Sequence, residues 1–149
     1  MAESVLRDRL DAAGLADRVI VESAGTSGWH EGEDADPRAR HTLERSGYSL
    51  THSARQFRPD WFTRTDLVLA MDGDNLDDLT ELAAKNGTHN PDIRLFRSFD
   101  ETAEPEAVVP DPYYGGHRGF EVVLAMIERA ADGVTEYVLQ ESASRELPA

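Results

Sequence analysis

Cysteine is absent from this chain of 149 residues. Without a thiol these residues offer no disulfide, no thiolate metal ligand and no sulfur nucleophile. Basic charge is also short. Fifteen Lys and Arg face 29 Asp and Glu, and the net charge of −14 repels nucleic acid and anionic membranes at long range. No apolar run approaches the ~20 residues that span a bilayer. The opening, Met1-Ala2-Glu3-Ser4-Val5-Leu6-Arg7-Asp8, carries acids and lacks the apolar core of a signal peptide. A nucleic-acid or membrane partner is therefore not expected, and the expected compartment is the cytoplasm. The five histidines are scattered without ligand spacing, and no glycine-rich phosphate loop ends in Lys-Ser or Lys-Thr. Asp72-Gly73-Asp74-Asn75-Leu76-Asp77 begins like a calcium loop, but Leu76 takes a ligand position and Ala83 stands where a bidentate Glu is required. Neither a metal nor a cofactor is expected.

What is present reads as one α/β domain over residues 1–141, with a frayed tail at 142–149. Glu3 to Ala13 has helical periodicity and stops at Gly14, but lacks a capping side chain. Arg18-Val19-Ile20-Val21-Glu22 reads as a buried strand, followed by the small-residue loop Ser23–Gly28 and Trp29. Asp36 caps a helix with Pro37 at its first position, ending at Gly47. Tyr48 to Gln56 is expected to be extended or irregular, and Pro59 starts a helical turn. Asp66–Met71 is a second strand, and a helix capped by Asp74 or Asn75 runs from there to Lys85 and Asn86-Gly87. Ile93–Phe96 is a third strand, and Phe99–Val108 forms an acidic loop. A final helix spans Gly119 to about Leu139, with Phe120, Val123, Leu124, Ile127 and Ala131 on its apolar face. Strands alternating with helices imply a mostly parallel sheet covered on both faces, with ligands received beyond the carboxyl ends of its strands.

Val109-Pro110-Asp111-Pro112-Tyr113-Tyr114-Gly115-Gly116 carries the most chemistry. Pro112 biases Asp111 toward extended dihedrals, so its carboxylate projects from the chain. An acid beside two rings suits the protonation of an aromatic leaving group. In isolation, Asp-Pro followed by Gly-Gly is an ordinary turn. Trp29 reads either as a core plug or as the wall of a cleft that accepts an aromatic group. His52, between Thr51 and Ser53, reads as a hydrogen-bonded structural residue, and Ser23 as a turn hydroxyl.

Together these segments resemble the low-molecular-weight protein-tyrosine-phosphatase family. The resemblance rests on Ser23-Ala24-Gly25-Thr26 with Trp29, on Asp36-Pro37-Arg38-Ala39, and on His52-Ser53-Ala54-Arg55-Gln56. It continues through Asp66-Leu67-Val68-Leu69-Ala70-Met71-Asp72 with Asn75-Leu76, and through Asp111-Pro112-Tyr113-Tyr114-Gly115. It implies a flavodoxin-like three-layer sandwich with a parallel sheet. It also implies hydrolysis of phosphotyrosine, on a protein or a small aryl phosphate, through a cysteinyl-phosphate intermediate. Asp111 then matches the general acid, Trp29, Tyr113 and Tyr114 match the walls that hold the phenyl ring, and Ser23 and His52 match residues that brace the phosphate loop from behind.

One departure from the family pattern is large. The resemblance implies a first, central strand and a Cys-x5-Arg loop ahead of the Met-Ala-Glu at which this sequence opens, so the nucleophile and the phosphate-binding Arg are missing as written. The expectation is a phosphatase whose start has been misplaced, inactive in this form. The alternative is a non-catalytic binding module that keeps the aromatic cleft. A central strand of about four buried aliphatic side chains is worth roughly 6–12 kcal/mol, comparable with a whole domain's ~5–15 kcal/mol. The chain as written is therefore expected to fold poorly and to leave a groove between strands.

Overall fold

The computed structural model describes residues 1–26, 32, 36–49, 55–111 and 116–146. Helix α1 covers Ala2–Ala12 and, as expected, begins at Met1 without a capping side chain. Its apolar stripe, Val5, Leu6 and Leu10, is buried, and Gly14 closes it at φ +78°. Such a φ disfavours residues with a side chain and suits glycine. Helix α2, Pro37–Arg45, starts as its sequence predicts: the Asp36 carboxylate accepts the Arg38 N–H at 2.8 Å, and Pro37 sits in the first turn.

Two strands, β1 (Val68–Ala70) and β2 (Ile93–Leu95), pair in parallel with Val68 opposite Ile93 and Ala70 opposite Leu95. Helix α3, Gly73–Lys85, connects them, which is the crossover a parallel pair needs. Side chains alternate along β1. Leu69 packs on the main core, while Ala70 is 1% exposed on the other side, where α3 buries Leu79 and Ala83. Helix α4, Gly116–Glu146, completes the main core against α1 and α2, with Val123, Leu124, Ile127, Ala131 and Val134 buried beside Val5 and Leu43. Phe96, 1% exposed, stands at the centre of this layer on a 3₁₀ turn, Phe96–Phe99. The result is a flavodoxin-like α/β arrangement with helices on both sheet faces. Among the described residues no helix is long and apolar enough to cross a membrane.

Several expectations need correction. The run Arg18–Glu22 forms no ladder: Val19 and Val21 pack partly buried on the core, but Ile20 is 89% exposed, so it is not a buried strand. β-branched composition favours an extended backbone, but a strand also needs a partner, which local sequence does not supply. Phe96 leaves the third strand for the 3₁₀ turn. The cap of α3 is Asp72, not Asp74 or Asn75: its carboxylate accepts the Asn75 N–H at 2.8 Å. Helix α4 starts before Gly119 and continues beyond Leu139 to Glu146.

Candidate active site

Three segments are fixed by backbone contacts, and the second and third of them meet the carboxyl end of β1. The segment Ser23–Thr26 pairs with 55–57. Gly25 donates its N–H to the Arg55 carbonyl at 2.7 Å and accepts from Phe57 N–H at 2.8 Å, a parallel bridge centred on Gly25 and Gln56. The second segment is Met71–Asp72, where β1 passes into the cap of α3. The third leads to Asp111. Val109, 7% exposed, donates its N–H to the Met71 carbonyl at 2.7 Å. Arg97 holds the preceding residue by donating from Nη1 to the Val108 carbonyl at 3.0 Å. Asp111 is thus two residues beyond a fixed point at the end of β1, with its side chain exposed to solvent.

Ser23 does not stand alone. Its hydroxyl donates to Glu3 Oε2 at 2.5 Å, and the other Glu3 oxygen pairs with Arg7 Nη2 at 2.8 Å. Arg7 Nη2 in turn donates to the Val21 carbonyl at 2.6 Å. Glu3 is in the first turn of α1, where a carboxylate also meets the positive end of the helix. The first turn of α1 is thereby tied to the loop that carries Ser23. Arg55 adds a second tie, donating to the Ser23 carbonyl at 3.3 Å.

Of the residues singled out from sequence, Asp111 is therefore placed at the strand-end edge, while Ser23 is tied to α1 and to Arg55. Trp29, His52, Tyr113 and Tyr114 lie outside the described residues. Sequence reading missed Val109, Arg97 and Glu3, which set where Asp111 and Ser23 sit. Val109 could have been suspected as an apolar residue inside a proline-rich loop, whereas nothing local marks Glu3 as a partner of Ser23. Among the described residues no group of three or more His, Asp or Glu could hold a metal ion. A cavity between α2 and α4, lined in part by His41, Arg45, Glu121 and Glu128, shares no residue with this edge.

A parallel strand pair with anchored segments beyond its carboxyl ends, one carrying an exposed carboxylate, has the layout in which open α/β sheets receive ligands. The chain belongs to the low molecular weight phosphotyrosine protein phosphatase family, whose sequence pattern matches residues 1–144. A low molecular weight protein-tyrosine-phosphatase of Streptomyces coelicolor is 47% identical over 146 residues, 97% of this chain and 88% of that protein. A crystal structure of a protein tyrosine phosphatase from Entamoeba histolytica superposes with a TM-score of 0.86 at 30% identity, covering 95% of this chain and 88% of the other. A Drosophila arginine phosphatase superposes with a TM-score of 0.84 at 27% identity, covering 92% and 87%.

Proposed function

We propose that this chain carries the acid half of a protein-tyrosine-phosphatase site and, with no cysteine among its 149 residues, does not turn over phosphotyrosine by itself. The observation that carries the reading is the Val109–Met71 hydrogen bond, which places Asp111 just beyond the carboxyl end of β1. In the reaction, a thiolate attacks phosphorus and the bond from phosphorus to the phenolic oxygen breaks. The Asp111 carboxyl gives its proton to that departing oxygen. Water then attacks the cysteinyl phosphate, the thiolate leaves, and Asp111 takes a proton from the water. A positioned acid of this kind contributes ~10²–10⁴-fold. Trp29, Tyr113 and Tyr114 flank the phenyl ring in this reading, while Ser23 and His52 brace the phosphate loop. The paired tyrosines favour a phenyl-bearing substrate, a phosphotyrosyl protein or a small aryl phosphate, over phosphoarginine.

The same reading gives the sheet room for one further strand. Val19 and Val21 pack on the same core cluster as Leu69 and Met71, yet among the described residues no backbone hydrogen bond joins the two segments. A strand bearing Cys-x5-Arg at its carboxyl end would fit between them and bring a thiolate to the Asp111 edge. A second reading, a non-catalytic module that binds an aromatic or phosphorylated partner, is favoured by the missing thiol. Aryl phosphate hydrolysis separates the two. The chain alone should show no turnover above buffer, whereas a fusion carrying a family-pattern strand and Cys-x5-Arg loop should be active and lose ~10²–10⁴-fold on Asp111→Asn. A fusion that folds but stays inert favours the binding module. An active fusion indifferent to Asp111→Asn removes Asp111 as the acid.

A further inference from the structure

The peptide unit that joins Val108 to Val109 is held on both edges. Its carbonyl accepts from Arg97 Nη1 at 3.0 Å, and its N–H donates to the Met71 carbonyl at 2.7 Å. Because a peptide unit is planar, these two bonds together fix the orientation of the whole plane. Pro110 follows, with its own φ locked by its ring and Val109 biased toward an extended backbone. Few free rotations then separate the clamped plane from Asp111. The Arg97 end of the clamp has a firm base. Phe96 beside it is 1% exposed, the Arg97 carbonyl accepts the Asp100 N–H at 3.0 Å, and the Phe99 carbonyl lies against Gly133 of α4. Arg97 is nevertheless a poor stabiliser. Among the described residues it has no carboxylate partner: its side chain donates to the neutral Val108 carbonyl, and its Nε is buried with no hydrogen bond. Burying part of a guanidinium without an acid to pair it costs free energy.

We infer that Arg97 is a positioning residue for the acid, retained for the aim of Asp111 and not for the stability of the fold. This role rests on the phosphatase reading above. The acid is effective only where its proton meets the phenolic oxygen as the bond to phosphorus breaks, and a misplacement of ~1 Å can cost ~10²-fold. Without Arg97 the 108–109 plane keeps one bond and is free to tilt about the Val109–Met71 contact, carrying Asp111 with it. Arg97 acts through the Val108 carbonyl and not on the substrate, so its whole effect passes through Asp111. That effect follows the leaving group. An unactivated phenolate, with a pKa near ~10 like that of tyrosine, needs the proton, whereas a dinitrophenolate departs without one.

The first test uses the full chain in the cold and reads amide hydrogen exchange at Val109. Val68, whose N–H donates to the Asp92 carbonyl at 2.9 Å, is the internal reference. Arg97→Met should speed Val109 exchange about tenfold relative to Val68, as loss of one charge-assisted hydrogen bond implies, with the urea midpoint near that of the parent. Arg97→Lys should restore most of the protection. Unchanged Val109 exchange overturns the proposal, and so does a fallen midpoint with equal loss at both amides. The second test uses the strand-and-loop fusion described above and compares kcat/KM, which reports the steps up to phenol release, for phenyl and dinitrophenyl phosphate. Arg97→Met should lower the phenyl value by about 10–10²-fold and leave the dinitrophenyl value unchanged. Added to Asp111→Asn, it should bring no further loss. Equal losses on the two substrates, or a loss that adds to that of Asp111→Asn, overturn the assignment. An inert fusion, or one indifferent to Asp111→Asn, counts against the phosphatase reading, and Val109 exchange then decides the clamp alone.

Discussion

Gly133→Ala tests a close approach of helix α4 to the Phe96–Phe99 turn. A Cβ built at Gly133 would lie 1.8 Å from the Phe99 carbonyl oxygen, 2.7 Å from its carbon and 3.1 Å from the Phe99 Cβ. The obstacle is mainly backbone, so no rotamer change clears it. To reach the 3.0 Å that Cβ atoms tolerate, α4 and the Phe96–Phe99 turn must part by about 1.2 Å. That movement loosens Phe96 in the core and the edge-on contact of Phe99 with Tyr137 at 5.4 Å. Overpacking of this kind costs about 3 kcal/mol at the upper end of its usual range. Alanine returns about 1 kcal/mol of helix propensity, leaving a net loss of about 2 kcal/mol. Urea titration in the cold, followed by far-ultraviolet circular dichroism, should show the midpoint falling by about 1 M at an ordinary slope. Gly73→Ala, also helical but with nothing within 4 Å of its Cβ, is the control and should not lower the midpoint. A Gly133→Ala chain as stable as its parent would refute the argument, because propensity alone would then govern the site.

Asp100, 6% exposed, accepts from the Thr102 hydroxyl at 2.6 Å, the Thr102 N–H at 2.9 Å and Arg129 Nε at 3.3 Å. These contacts, the Thr102 hydroxyl foremost, hold its carboxyl below the usual range. A depressed folded-state pKa adds stability that is complete above the unfolded value and lost as pH falls through the folded one. Asp100→Asn should therefore lower stability by about 1.5–3 kcal/mol at neutral pH, and the gap should close below about pH 4, as urea midpoints across pH would show. Asp36→Ala removes the cap of α2, whose Leu43 is fully buried, and should cost about 1 kcal/mol in the same titration. An unchanged midpoint would mean that tertiary packing alone holds that helix end. The chain itself should melt below the ~45–65 °C usual for ordinary domains, since its described sheet has only two three-residue strands; a cooperative calorimetric transition within or above that range would count against it.

What sequence revealed was what neighbours along the chain determine. Asp36-Pro37 marked α2 because capping needs a side chain and a fixed φ within three residues. The spacing of Phe120, Val123, Leu124, Ile127 and Ala131 marked one face of α4, and all five are buried. Gly14, Gly47 and Gly87 each end a helix with positive φ, as their placement suggested. Sequence was silent where distant segments decide. Val19–Val21 has strand composition, but its status depends on a partner elsewhere. Asp72 and Asp74 both have the chemistry of a cap, and Asp72, with an extended backbone, is the one whose carboxylate accepts the Asn75 N–H. Asp111 was legible as an acid between prolines, but the Val109–Met71 bond that positions it joins residues 38 apart in the chain. Glu3 and Ser23 meet for the same reason, across 20 residues.

The Val19–Ala24 segment has a consequence for how copies of the protein behave together. Ile20 offers a bare aliphatic tip in a run of strand composition that has no ladder partner among the described residues, a template for edge-to-edge aggregation. The charge of −14 keeps neighbouring copies apart in dilute buffer. That protection shrinks with the screening length, which falls from about 10 Å at 0.1 M salt to about 3 Å at 1 M. Concentrated salt, often used to keep proteins in solution, should here drive the chains into one another, and Ile20→Lys should make storage at high salt far more forgiving.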